Sequence, residues 1–187
     1  MLRTVFTLVV SIMALVSKGI AGENEIVKKK MEVKMNLEIK SSAFINGAAI
    51  PKKNTCDGED VSPSLSWDKI PAGTKSWALI CDDPDAPVGT WVHWVIYCIP
   101  PETKSLPEAI TKNQVVFKSA KQGKTDFGKI GYGGPCPPKG KPHRYFFKLY
   151  ALDFMPDWPA GRTKAEVMKG IEGHILAQGE LIGKYGR

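Results

Sequence analysis

Two histidines, a tyrosine and a pair of aspartates set the chemistry this chain could perform. His143 and Tyr145 stand two apart near the end of residues 131–150, GYGGPCPPKGKPHRYFFKLY. In an extended strand that spacing points both side chains to one face. An imidazole and a phenol can both donate hydrogen bonds, and an imidazole gains positive charge as pH falls toward ~6.5. The glycines ahead of them let backbone come close to a ligand, and the prolines hold a loop in shape without a partner strand. A preset loop with N–H groups beside one imidazole and one phenol is a pocket for a small anion. The same stretch also fits a proline-stiffened turn entering a buried strand, and these residues alone leave both readings open. His93 lies in WVHWVIYCI, residues 91–99, where strand alternation gives it a face with Trp91, Val95 and Tyr97. Asp83 and Asp85 lie in DDPDAP, residues 82–87, where carboxylates can also simply cap a proline turn.

The elements that must position these groups read mostly as strands. Residues 33–40 alternate apolar and polar, as a half-buried strand does. Residues 44–50 suggest a second short strand ending at Pro51, and 52–66 a loop with an Asp57-Gly58 turn. An extended piece at 65–67 precedes WALIC, residues 77–81, a continuous apolar run suited to a central strand. Residues 91–99 are apolar on both faces, so both faces should be covered. Residues 102–129 form a long connection with one short strand near 115–117. Residues 143–152 form another central strand. One helix is signalled by the capping box Thr163-Lys164-Ala165-Glu166, with Val167, Ile171 and Ile175 at helical spacing. Residues 178–184 close the chain as a strand.

Composition narrows the class. At 187 residues, 43% hydrophobic and 24% charged, the chain suits one domain with a sizeable core. Arg3, an apolar run over 5–16 and small residues at 19–21 make residues 1–21 a cleavable secretory signal, since about 20 apolar residues are needed to span a bilayer. Residues 22–32 are then a flexible lead-in and 33–187 the domain, exported to a periplasm or the medium, with no transmembrane segment after cleavage. Losing residues 1–21 removes Arg3 and Lys18 and no acid, which lowers the formal charge from +7 to +5. The remaining lysines are scattered without interleaved aromatics, which argues against a nucleic-acid partner. Export permits disulfides. Four cysteines allow three connectivities. Cys56–Cys136 is favoured because both sit in Gly/Pro-rich loops, while Cys81 and Cys98 sit in apolar strand patterns.

Three blocks resemble the phosphatidylethanolamine-binding protein family, also called Raf kinase inhibitor-like proteins, in its bacterial and archaeal branch. They are Asp83-Pro84-Asp85-Ala86-Pro87, Trp91-Val92-His93-Trp94, and Gly134-Pro135-Cys136-Pro137-Pro138 running on to His143-Arg144-Tyr145. Lesser matches extend from about Phe44 to Gly186. The resemblance implies a mainly β fold of two packed antiparallel sheets, a Greek-key β-sandwich, with one helix late in the chain. It also implies a small surface pocket for phosphate and for the phosphate of phospholipid headgroups. Carried over residue by residue, it puts the pocket aspartate on Asp83 with Asp85 beside it, and the pocket histidine on His93. The loop proline falls on Pro138, and the paired histidine and tyrosine on His143 and Tyr145. Trp91 at the pocket mouth and Gly134 in the loop complete the candidate set. Asp83 would accept a hydrogen bond from a histidine and fix its tautomer, or face the cationic end of a zwitterionic headgroup.

This sequence departs from the animal members in two places. Only Val88-Gly89-Thr90 separates Pro87 from Trp91, and the helix that follows the last strand in those proteins has no counterpart before Arg187. Kinase regulation is therefore not carried over. The function expected is a non-catalytic binding protein for a small anionic ligand, without metal or cofactor, as monomer or homodimer. A protein-protein regulator of the protease- or kinase-inhibitor type is the first alternative. The second is a phosphate-ester hydrolase in which His93, His143 and Asp83 bind a metal or act as acid and base. Against it, the chain has no CxxC or HExxH pair and no glycine-serine-glycine elbow.

Overall fold

A computed structural model describes residues 37–187. The expected signal segment, the expected lead-in and the start of the first expected strand lie outside the described residues. The described chain is mainly β, built as two antiparallel sheets and one helix. The small sheet holds β1 (Ile39–Lys40), β2 (Leu65–Trp67) and β5 (Ser105–Leu106), in the order β1-β2-β5. The large sheet holds β3 (Ser76–Asp83), β4 (Trp91–Ile99), β6 (Val115–Val116), β7 (Ala120–Gln122), β8 (His143–Leu152) and β9 (Ile175–Tyr185), in the order β6-β7-β4-β3-β8-β9. The helix α1 spans Lys164–Ile171.

The continuous apolar run of β3 is explained by its place. It pairs with β4 on one side and β8 on the other, and all eight of its residues are buried. Its alternate side chains serve two cores. Trp77, Leu79 and Cys81 join Trp94, Ile96, Phe147 and Leu149 against the small sheet's Ile39, Leu65, Trp67 and Leu106. Ala78 and Ile80 face the other way, with Val95, Tyr97 and Leu152, onto Val167 and Ile171 of α1. Burying both faces of a sheet in this way removes most of its apolar area from water, at about 25 cal/mol per Å².

Three expectations change in the structure. Residues 44–50 form no strand. Asn46-Gly47 turns the chain there, with Gly47 at φ 80°, and only Ala49 bridges to β9 at Lys184. Phe44 and Ile50 are buried nonetheless. The helix stops at Ile171, because Gly173 adopts φ 78° and ends it. Ile175 then opens β9 rather than a further helical turn. The long connection carries not one short strand but three, β5, β6 and β7, each only two or three residues long.

α1 is fixed at its start. Thr163 Oγ1 accepts the Glu166 N–H at 3.3 Å, and the Glu166 carboxylate accepts the Thr163 N–H at 2.8 Å. These bonds draw the Glu166 carboxyl below its usual range. On the same face Lys164 and Lys148 both bond the fully buried Asp82, which ties the helix to β3 and β8. No helix among the described residues is long and apolar enough to cross a membrane.

Candidate functional site

The end of β3 splits its last two side chains between the sheet's two faces. Asp82 goes to the helix side and Asp83 to the side of Cys81 and Leu79. Asp83 Oδ1 then accepts the Asp85 N–H at 2.8 Å, which closes the turn through Pro84. Its Oδ2 accepts the His143 Nδ1–H at 2.7 Å. One step outward, Arg144 grips Asp85 through Nε at 2.8 Å, Nη2 at 2.7 Å and its own backbone N–H at 2.9 Å. These Arg144 bonds pull the Asp85 carboxyl down to about 2. Two rungs, Asp83–His143 inside and Asp85–Arg144 outside, therefore clamp the proline turn to the start of β8.

His93 reaches the same face by a β-bulge. Pairing runs Cys81↔Trp94 and then Asp82↔Val92, so His93 is the extra residue of β4. Unbroken alternation would send it with Val95 and Tyr97 to the helix side. The bulge instead turns it to the face of Trp94, where its ring stands edge-on to Tyr145 at 5.1 Å. This corrects the shared face of His93, Val95 and Tyr97. Gly133 holds the ring from behind. Its carbonyl accepts the His93 Nδ1–H at 2.7 Å, and its N–H donates to the His93 carbonyl at 2.9 Å. Burial pushes the His93 pKa below its ordinary value, against the partial support of Gly133 and Asp83.

Tyr145 is fully buried, and its hydroxyl has no hydrogen-bond partner among the described residues. Burial and the nearby Asp83 carboxylate push its pKa up, so the oxygen keeps its proton. A cavity of about 190 Å³ opens above it. Asp83, Trp91, His93, Pro138, His143 and Tyr145 all line it, so six of the eight candidates meet at one place.

Asp85 and Gly134 do not line it. The Asp85 carboxylate is taken by Arg144. The Gly134 N–H is spent on Asp60 Oδ1 at 2.6 Å, and a Cβ there would meet the Asn54 carbonyl at 2.7 Å. The glycine-rich loop thus uses the N–H groups of Gly133 and Gly134 to dock itself. Their small size serves close packing against Phe127 and Asn54. Phe127 is a lining residue that sequence reasoning missed. It stands edge-on to Trp91 at 5.5 Å and to His93 at 5.2 Å. It comes from an irregular connection, and nothing in its local pattern signals a site. Val88, 79% exposed, and Phe127, 40% exposed, flank the opening.

The loop wall is crosslinked. Cys56 and Cys136 form a disulfide with Cα atoms 5.4 Å apart, and Cys81 and Cys98 are free and buried. Among the described residues no group of three or more His, Cys, Asp or Glu side chains is placed to hold a metal ion.

A family model for the phosphatidylethanolamine-binding protein matches residues 40–186. A UPF0098 protein of Methanothermobacter thermautotrophicus is 49% identical over 151 residues, covering 81% of this chain and 99% of the relative. One from Aquifex aeolicus is 50% identical over 153 residues, covering 81% and 89%. The crystal structure of a phosphatidylethanolamine-binding protein homologue from Chlamydia trachomatis superposes with a TM-score of 0.74 at 40% identity, covering 81% of this chain and 97% of that one.

Proposed function

The chain belongs to the phosphatidylethanolamine-binding protein family, and from that premise we propose that it is a non-catalytic binding protein whose cavity holds a phosphate-type anion. One observation carries this reading. A buried phenol that keeps its proton and makes no close hydrogen bond among the described residues, with only the Asp83 carboxylate nearby, borders a cavity also lined by two imidazoles. A buried unpaired donor costs roughly 1–3 kcal/mol, and an anionic oxygen is the ligand group that recovers it most fully. Asp83 opposes the anion less than a bare carboxylate would, because its two oxygens are engaged by His143 Nδ1 and the Asp85 N–H. The volume suits a phosphate head rather than an acyl chain, so any larger ligand projects outward between Val88 and Phe127.

Among the described residues no serine, threonine or free cysteine lines the cavity beside an imidazole, which favours binding over turnover. The apolar run over residues 5–16 and the Cys56–Cys136 disulfide support export to an oxidising compartment.

Titration calorimetry with inorganic phosphate tests the ligand class. Saturable binding at one site is the expected result. Undiminished binding in a folded Tyr145→Phe, His143→Ala double variant would move the site elsewhere. Release of inorganic phosphate from phosphate esters by wild type would overturn the non-catalytic reading.

A further inference from the structure

We infer that the cavity selects an anion carrying its own hydrogen, a phosphomonoester or dihydrogen phosphate, over a phosphodiester or a sulfate. This rests on the phosphate-type reading above and goes one step further, to the ligand's proton; it departs from the phospholipid-headgroup phosphate, a diester, that the family resemblance implies.

The step follows from His93. Its Nδ1 lies 2.7 Å from the Gly133 carbonyl oxygen, and a carbonyl can only accept. Nδ1 therefore carries the hydrogen. The Gly133 N–H bond to the His93 carbonyl and the edge-on rings of Tyr145 and Phe127 leave the imidazole little freedom to flip. The ring is 3% exposed, an environment that favours its neutral form. A neutral ring with its proton on Nδ1 has a lone pair on Nε2, and no described residue donates to it. The cavity thus presents one fixed acceptor beside the donor hydroxyl of Tyr145. His143 does not alter this. Its Nδ1–H is bound to Asp83, and its Nε2 can donate or accept without changing what His93 requires.

A ligand oxygen at His93 Nε2 must therefore bring an O–H. A sulfate ester and a phosphodiester bring only lone pairs near neutral pH and would set an anionic oxygen against the nitrogen's own. A phosphomonoester keeps a second proton until about pH 6, so its monoanion supplies the hydrogen. Sites built to hydrogen-bond a ligand group reject analogues that lack it far more strongly than apolar pockets reject a missing methylene.

The test compares phenyl phosphate, methyl phenyl phosphate and phenyl sulfate by calorimetry at pH 6.5. As monoanions they share one ring and one charge and differ in the hydrogen. The affinity of phenyl phosphate, referred to its monoanion, should exceed the other two by about tenfold or more. Equal affinities overturn this inference and leave the phosphate-type reading standing. Failure of all three to bind overturns both. His93→Phe should bring the three within about twofold, and a preference of wild-type size in that folded variant overturns the inference. Nitrogen-15 NMR of the wild type gives a readout independent of any variant. The unprotonated His93 Nε2 resonance should shift on adding phenyl phosphate and not phenyl sulfate, and no shift with either also overturns it.

Discussion

Tyr145 makes no close hydrogen bond among the described residues and borders the cavity, so its hydroxyl can be tested for binding and for stability at once. Tyr145→Phe should weaken inorganic phosphate binding by roughly ten- to a hundredfold, the range for one hydrogen bond to a charged group. The same change should leave stability to urea unchanged or slightly raised, since it deletes a buried donor that the ligand-free fold leaves unpaired. A variant that loses stability instead would show that the hydroxyl serves the fold. Asp85 predicts the opposite pattern. Its carboxyl lies at about 2 in the fold, against about 3.9 for an ordinary aspartate. A lowered folded value gives stability that is fully present above ~4 and is lost as pH falls toward 2. Unfolding free energies of wild type and Asp85→Asn should therefore differ at pH 5 and converge near pH 2. A gap that stays constant across that range would discard the Arg144 clamp. Tyr145 was legible from its two-residue spacing with His143 and from resemblance, Asp85 from resemblance alone, and Asp85 proves to clamp the turn rather than line the cavity. The partner of Asp85 was not legible, because Arg144 lies 59 residues away and nothing local links them.

At the scale of elements, strands with long apolar or alternating runs were readable, and β3, β4 and β8 lie where the pattern puts them. Period-two reasoning failed where the period itself breaks. The bulge in β4 adds one residue and reverses the face of His93, and no composition marks it. Strands of two or three residues, such as β5 and β7, are too short to show a period and exist because longer neighbours offer them edges. The helix start was readable because a capping box is a local chemical pattern. Its end was hidden by Ile175, which keeps helical spacing after Gly173 has already turned the chain. The cap is reciprocal, so Thr163→Ala should cost about 1 kcal/mol in chemical denaturation. Thr163→Ser should recover most of it. Equal losses in the two variants would mean the methyl group, rather than the oxygen, matters at that position.

Across the whole molecule, the cavity is assembled from segments far apart in sequence: the end of β3, the bulge of β4, the 127–138 loop and the start of β8. Resemblance made Asp83, His93, Pro138, His143 and Tyr145 legible as one set. Phe127 and Val88 became visible only when the chain was closed on itself. The loop that forms one wall is tied to residues 54–60 in four ways. Cys136 is bonded to Cys56, the Gly134 N–H donates to Asp60, the Cys56 N–H donates to the Pro135 carbonyl at 3.1 Å, and the Tyr132 hydroxyl donates to the Asn54 carbonyl at 2.8 Å. Three of these ties are non-covalent and survive loss of the disulfide. The disulfide itself bridges a sequence separation of 80 residues, and such a crosslink acts largely by restricting the unfolded chain. The Cys56→Ser, Cys136→Ser double variant should therefore lose about 2–4 kcal/mol of stability. Its phosphate affinity should change by less than about threefold, because the hydrogen bonds still hold Pro137 and Pro138 at the rim. Thermal unfolding and calorimetry on the same preparation separate the two effects. A loss of affinity as large as the loss of stability would mean that the covalent bond, and not the polar ties beside it, keeps the cavity wall in place.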